Sequence, residues 1–134
     1  MMYLVDTDWI IDHIRGKEDA KEKLKELRPS GIAISIVSLA GLYEGIYSSR
    51  DPINDQKILE NLLTQFFILE INEDICKVFG KERGRLRQQR KTVGDFDLLI
   101  ASTCLNYNLT ILTNNRKHYE VVNGLNIISL SDEE

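Results

Sequence analysis

Apolar residues follow two rhythms along this chain, and their alternation predicts strands interleaved with helices. Short unbroken runs fall at Met1 to Val5, Ile32 to Ile36, Phe67 to Ile71, Leu109 to Thr113 and Leu125 to Leu130. Between them, apolar side chains recur at helical spacing: Trp9, Ile10, His13 and Ile14; Ala20, Leu24 and Leu27; Leu39, Leu42, Tyr43 and Ile46; Ile58, Leu59, Leu62, Leu63 and Phe66; Ile75, Val78, Phe79 and Leu86. Leu98 to Leu105 is too densely apolar for a loop and too long for one short strand, so it reads as a mostly buried helix. Pro29-Ser30-Gly31 and Ser48 to Pro52 are breaks. No hairpin signal joins consecutive runs, and the runs are apolar rather than alternating. A parallel, doubly wound α/β sheet with helices on both faces is therefore expected.

Composition narrows the class. The 134 residues, 43% of them hydrophobic, suffice for one domain with its own core, expected over 1–130, with Ser131 to Glu134 a disordered tail. A net charge of -4 argues against holding nucleic acid by bulk positive charge, leaving room only for a local basic patch. Cys76 and Cys104 stand apart with no zinc or redox spacing, so both are expected as buried, reduced thiols. No leader pattern precedes Tyr3 and no apolar run approaches the ~18 residues of a membrane span, so the expected location is cytoplasmic.

Four places carry candidate chemistry. Asp6 stands where the first strand should end, and Asn114 and Asn115 stand where the fourth should. Asp95 and Asp97 open the helix that begins near Gly94, more acid than a helix start needs. If the first and fourth strands are neighbours, these groups can converge at the carboxyl edge of the sheet. Clustered carboxylates repel unless a hard divalent cation joins them, and oxygen ligands favour Mg²⁺ or Mn²⁺. Phosphodiester hydrolysis is the natural chemistry of such a site. Each residue also has a plainer use: Asp6 as a cap, the Asn pair as loop residues. Arg83, Arg87 and Arg90 would share one helical face leading to Gly94 and could hold RNA backbone, or could be a solvated face favoured by the helix dipole. His13 and His118 lack partners at metal spacing and read as surface or edge residues.

Tyr3-Leu4-Val5-Asp6-Thr7-Asp8, Ile34-Ser35-Ile36-Val37-Ser38-Leu39-Ala40, Gly94-Asp95-Phe96-Asp97-Leu98-Leu99-Ile100-Ala101 and Leu112-Thr113-Asn114-Asn115, in that order, resemble the PIN-domain ribonucleases. The resemblance is strongest to the VapC toxins of type II toxin–antitoxin systems. It implies a PIN-like fold, Mg²⁺- or Mn²⁺-dependent endoribonuclease activity, homodimerisation and a VapB-like antitoxin. Asp6 and Asp97 match the family's metal-binding carboxylates, Asp95 an auxiliary acidic position, and Asn115 a fourth position that varies between Asp and Asn. The departure is Gly41, where family members usually carry Glu. Glu44 lies one helical turn on, about 4.5 Å along the axis, and could substitute imperfectly. Impaired cleavage is the expectation. An antitoxin helix is expected to seat on an apolar surface around Trp9, Tyr43, Ile46 and Tyr47. The competing readings are a PIN-fold binding module without useful catalysis and, more remotely, a receiver-like signalling domain. The latter fits worse, because its phosphoacceptor Asp should follow a central strand, whereas Asp95 and Asp97 precede a helix.

Overall fold

Polar side chains mark where several of the helices begin. Ser35 Oγ accepts the Val37 amide at 3.1 Å, an Asp51 oxygen accepts the Asn54 amide at 3.2 Å, and Asn72 Oδ1 accepts the Ile75 amide at 2.9 Å. Each satisfies an amide that the first helical turn leaves free. The computed structural model describes residues 3–130. The tail expected at 131–134, and the first two residues of the first predicted strand, lie outside the described residues.

The elements follow in the order β1 (Tyr3–Val5), α1 (Thr7–Ile14), α2 (Glu18–Leu27), a 3₁₀ turn (Arg28–Ser30), β2 (Ile32–Ser35), α3 (Ile36–Tyr47), α4 (Pro52–Leu63), β3 (Phe67–Leu69), α5 (Glu73–Gln88), α6 (Asp95–Tyr107), β4 (Thr110–Leu112), α7 (Arg116–Tyr119) and β5 (Ile127–Ile128). The five strands form one sheet in the order β3-β2-β1-β4-β5, every pair parallel. The chain winds outward from β1 through β2 to β3, then returns to the other side of β1 for β4 and β5. Strand order thus reverses between β1 and β4, and the crevice beyond their carboxyl ends is where such sheets place function.

Burial on both faces explains the unbroken apolar runs. Leu4 and Ile111 face one core with Leu86, Leu98, Ala101, Cys104 and Tyr119, under α5 and α6. Val5 and Leu112 face the other with Trp9, Ile10, Leu42 and Leu59, under α1, α3 and α4. Successive strand residues therefore enter opposite cores, which a sheet covered on both faces requires.

The structure corrects several expectations. Ile36 belongs to α3 rather than β2, because the Ser35 cap ends the strand one residue earlier. Helix α4 stops at Leu63, and turns close from Gln65 and Phe66 onto Leu62 and Leu63. Helix α7 has no counterpart among the predicted elements. Helix α5 stops at Gln88, so Arg90 does not share a face with Arg83 and Arg87. Arg90 takes a left-handed conformation (φ 56°), its amide donating to Arg87 O and the Lys91 amide to Leu86 O. That pair of bonds satisfies the last carbonyls and terminates the helix. Cys76 is exposed on the outer side of α5, whereas Cys104 is buried. Trp9 and Ile46 are core residues, so the apolar surface expected around them reduces to half-buried Tyr43 and exposed Tyr47, stacked at 6.0 Å.

Candidate active site

The crevice between β1 and β4 begins with Asp6, the last extended residue before α1. Its amide donates to Leu112 O at 2.9 Å, which carries the β1–β4 ladder one step beyond the strand. The residue is 5% exposed; Oδ1 accepts the Thr7 amide at 2.8 Å and Oδ2 accepts the Thr113 hydroxyl at 2.8 Å. Capping and site-facing roles thus coexist in one side chain. Asp8 ties the two strand tips together, Oδ1 accepting the Trp9 amide at 2.8 Å and Oδ2 the Asn114 amide at 2.7 Å.

Helix α6 delivers the second carboxylate. Neither Asp95 nor Asp97 caps it, since Gly94 is the cap residue and no side chain bonds there. Asp97 turns toward the crevice: the Tyr119 hydroxyl donates to its Oδ1 at 3.3 Å, and His118 Nδ1 lies 3.3 Å from its Oδ2. Tyr119 is fully buried and its hydroxyl engages Asp6 as well as Asp97. Asp95 turns away. Its side chain is 80% exposed and pairs with the Arg83 guanidinium at 2.8 Å, which itself rests 5.5 Å from the centre of the Phe79 ring.

Electrostatics follow from this geometry. Burial pushes the Asp6 carboxyl above its ordinary value; the Thr113, Thr7 and Tyr119 donors act against that, and the charge of Asp97 adds to it. Asp8 is pushed up to about 6, chiefly by burial and further by Asp6 and Asp12. Burial, then the charges of Asp6 and Asp97, hold the Tyr119 phenol well above its ordinary value, so it keeps the single proton that it shares between them. Burial and the charge of Asp6 likewise raise the Cys104 thiol beneath the site, leaving it inert.

Asp6 and Asp97 are therefore brought together, while Asp95 faces Arg83. Asn114 is a joint of the fold, its Oδ1 accepting from Trp9 Nε1 at 3.3 Å and from the Leu130 amide at 2.9 Å. Asn115 is exposed at the start of α7, its amide donating to Thr113 Oγ1 at 3.0 Å. Arg83 is half-buried in its pair with Asp95, and Arg87 is exposed. Gly41 lines a cavity of about 340 Å³ between α1, α3 and α4, together with Ile11, Arg15, Gly45 and Asp55. Glu44 is exposed and forms no hydrogen bond or ion pair with the described residues. Among the described residues, no group of three or more acidic, His or Cys side chains gathers closely enough to hold a metal ion. Sequence reading missed Asp8, Thr113, His118 and Tyr119. Asp8 and Thr113 adjoin candidate residues, but nothing in the pattern around Tyr119 distinguishes it from an ordinary core aromatic.

Comparison with known proteins places the chain in a family. The PIN domain model matches residues 3–124. Ribonuclease VapC2 of Rickettsia felis is 31% identical over 127 residues, covering 93% of this chain and 95% of that protein. The tRNA(fMet)-specific endonuclease VapC of Shigella flexneri is 28% identical over 125 residues, again covering 93% and 95%. Among solved structures, VapBC2 of Rickettsia felis bound to a promoter DNA fragment aligns with a TM-score of 0.90 at 28% identity, over 96% of this chain and 98% of that one. With the β1–β4 crevice and its paired carboxylates already in place, these matches show that the chain belongs to the PIN-domain family, among its VapC ribonuclease toxins.

Proposed function

We propose that this ribonuclease is an endonuclease that hydrolyses RNA phosphodiesters with Mg²⁺ or Mn²⁺ held by Asp6 and Asp97. The observation that carries the reading is the buried Asp6 carboxylate beside Asp97, with neutral donors on Asp6 to meet its charge. The donor set is all oxygen, and Mg²⁺ needs only one or two carboxylates when substrate phosphate and water complete its shell, so the residues present fit such an ion. When bound, it would lower the pKa of water and offset the charge developing on phosphoryl oxygens. The protein's own groups hold the geometry. Thr113 and the Thr7 amide fix the Asp6 carboxylate, while Tyr119 and His118 each engage one oxygen of Asp97. Asn115, exposed at the rim, is assigned to orient water or phosphate. Asp95 is auxiliary through its hold on Arg83, and Glu44 is the candidate replacement for the acid missing at Gly41.

The partner we propose is a VapB-like antitoxin, supported by the VapBC assembly of the Rickettsia felis neighbour. The Tyr43–Tyr47 stack and the cavity between α1, α3 and α4 offer it an apolar seat. Homodimerisation is also proposed, with Phe67 and Ile68, 58% and 44% exposed on the edge strand β3, as surface for a second copy to cover. No helix among the described residues is long and apolar enough to cross a membrane.

The test is cleavage of tRNA, rRNA and mRNA in Mg²⁺ or Mn²⁺, with EDTA and Asp97→Asn as controls. Metal-dependent cleavage lowered at least about 100-fold by Asp97→Asn is the expected result, since losing a group that stabilises developing charge costs on that order. Cleavage unaffected by EDTA or by Asp97→Asn would reject the assignment. The second reading, a PIN-fold binding module, is favoured by Gly41; it predicts metal affinity with no turnover of any RNA.

A further inference from the structure

Phe96 is 73% exposed, although it lies in the first turn of a helix that buries Leu98, Ile100, Ala101 and Cys104. Single exposed aromatics are ordinary on protein surfaces. This one differs in its surroundings. It stands between Asp95 and Asp97 and, with them and Gly94, lines an open cavity of about 470 Å³. A second cavity of about 440 Å³ is lined by Asn114, Asn115, Arg116, Lys117, His118 and Glu120. The two adjoin through the 3.3 Å contact between His118 and Asp97. A polymer lying across Asp97 therefore meets cationic side chains on one side and a bare aromatic face on the other. The Arg83–Asp95 pair offsets one negative charge on the aromatic side.

A backbone track of positive charge beside an aromatic platform is how proteins hold single-stranded nucleic acid, because every base has a face that can stack. We infer that Phe96 is a positioning residue on which the unpaired base next to the scissile phosphate stacks, setting the register of single-stranded RNA across Asp97. This rests on the ribonuclease reading above and deepens it. A duplex keeps its bases stacked on one another, so the platform selects loops, bulges and open strands over paired RNA. The surface of Phe96 reads any base by its face alone, so it selects single-strandedness rather than base identity.

The experiment uses the intact protein with Mn²⁺ and short phosphorothioate-linked RNAs that resist hydrolysis, each carrying one 2-aminopurine at a successive position. Stacking on the ring should quench the fluorophore at a single position. Phe96→Trp should retain the quench, while Phe96→Leu, which keeps an apolar side chain on an open surface, should abolish it and weaken binding about tenfold. An unchanged thermal midpoint in Phe96→Leu would confirm that the fold is intact. Equal quenching and affinity in Phe96→Leu, or loss of quenching in Phe96→Trp, would overturn the stacking role while leaving the ribonuclease reading standing. No binding of any of these RNAs by the unaltered chain would overturn both.

Discussion

Glu82 carries a charge into the seam between α5 and the turn that follows α7. Its carboxylate takes two bonds from Arg85, both 2.7 Å, and the Asn123 amide at 2.8 Å, while Arg85 donates onward to Val121 O at 2.8 Å. Hydrogen bonding to Arg85, against a smaller opposing effect of burial, holds the Glu82 carboxyl below its ordinary value of 4.5. A carboxyl depressed by folding stabilises the native state above its unfolded value, and that stability is lost as the pH falls through the folded one. Glu82→Gln should therefore lower stability at neutral pH, and the gap to the unaltered chain should close as the pH falls below 4.5. Urea unfolding at pH values across that interval checks this; a gap independent of pH would show that Glu82 contributes no charge-dependent stability. The same single-residue view explains what could be read of the site beforehand. Asp6 and Asp97 stand at the boundary between an apolar run and a polar start, a visible place in a sequence. Tyr119 meets them from 22 residues beyond Asp97, and only the packing of α7 beneath the crevice makes it a shared donor.

Elements were legible where periodicity was long and hidden where tertiary contacts decide. Helix α6, with its dense apolar run, could be read directly, whereas the four residues of α7 are too few to show a period. The end of α5 depends on a left-handed arginine at a position that usually takes glycine, so the basic run beyond Gln88 looked like continuing helix. Gly41 is the opposite case, visible as an anomaly within α3. A Cβ placed there meets nothing within 4 Å, so a side chain can be added without collision. Gly41→Ala should raise stability by about 1 kcal/mol through helix propensity alone, a thermal midpoint about 4 °C higher. Calorimetry that found a lower midpoint would mean that the cavity beside Gly41 must stay open for the fold itself.

At the scale of the whole molecule, the order β3-β2-β1-β4-β5 does most to make a site. By reversing direction at β1, the chain brings Asp6 beside Thr113 across 107 residues of sequence, and α6 then returns Asp97 to the same crevice. The parallel, doubly covered sheet was readable because unbroken apolar runs demand cover on both faces and parallel strands demand helical crossovers, whereas the neighbouring of β1 and β4 could be posed only as a condition. Which acids face the crevice was less readable: Asp95 and Asp97 are two residues apart, yet one pairs with Arg83 and the other with His118. The proposed site sets Asp6 and Asp97 at the core of a metal-dependent ribonuclease centre that lacks an acid at Gly41. The direct measurement is RNA cleavage in Mn²⁺ by the unaltered chain, by Gly41→Glu and by Gly41→Glu combined with Asp6→Asn. Faster cleavage by Gly41→Glu than by the unaltered chain is expected, with loss of that gain on Asp6→Asn. Equal rates with and without Gly41→Glu, or cleavage that survives Asp6→Asn, would contradict it.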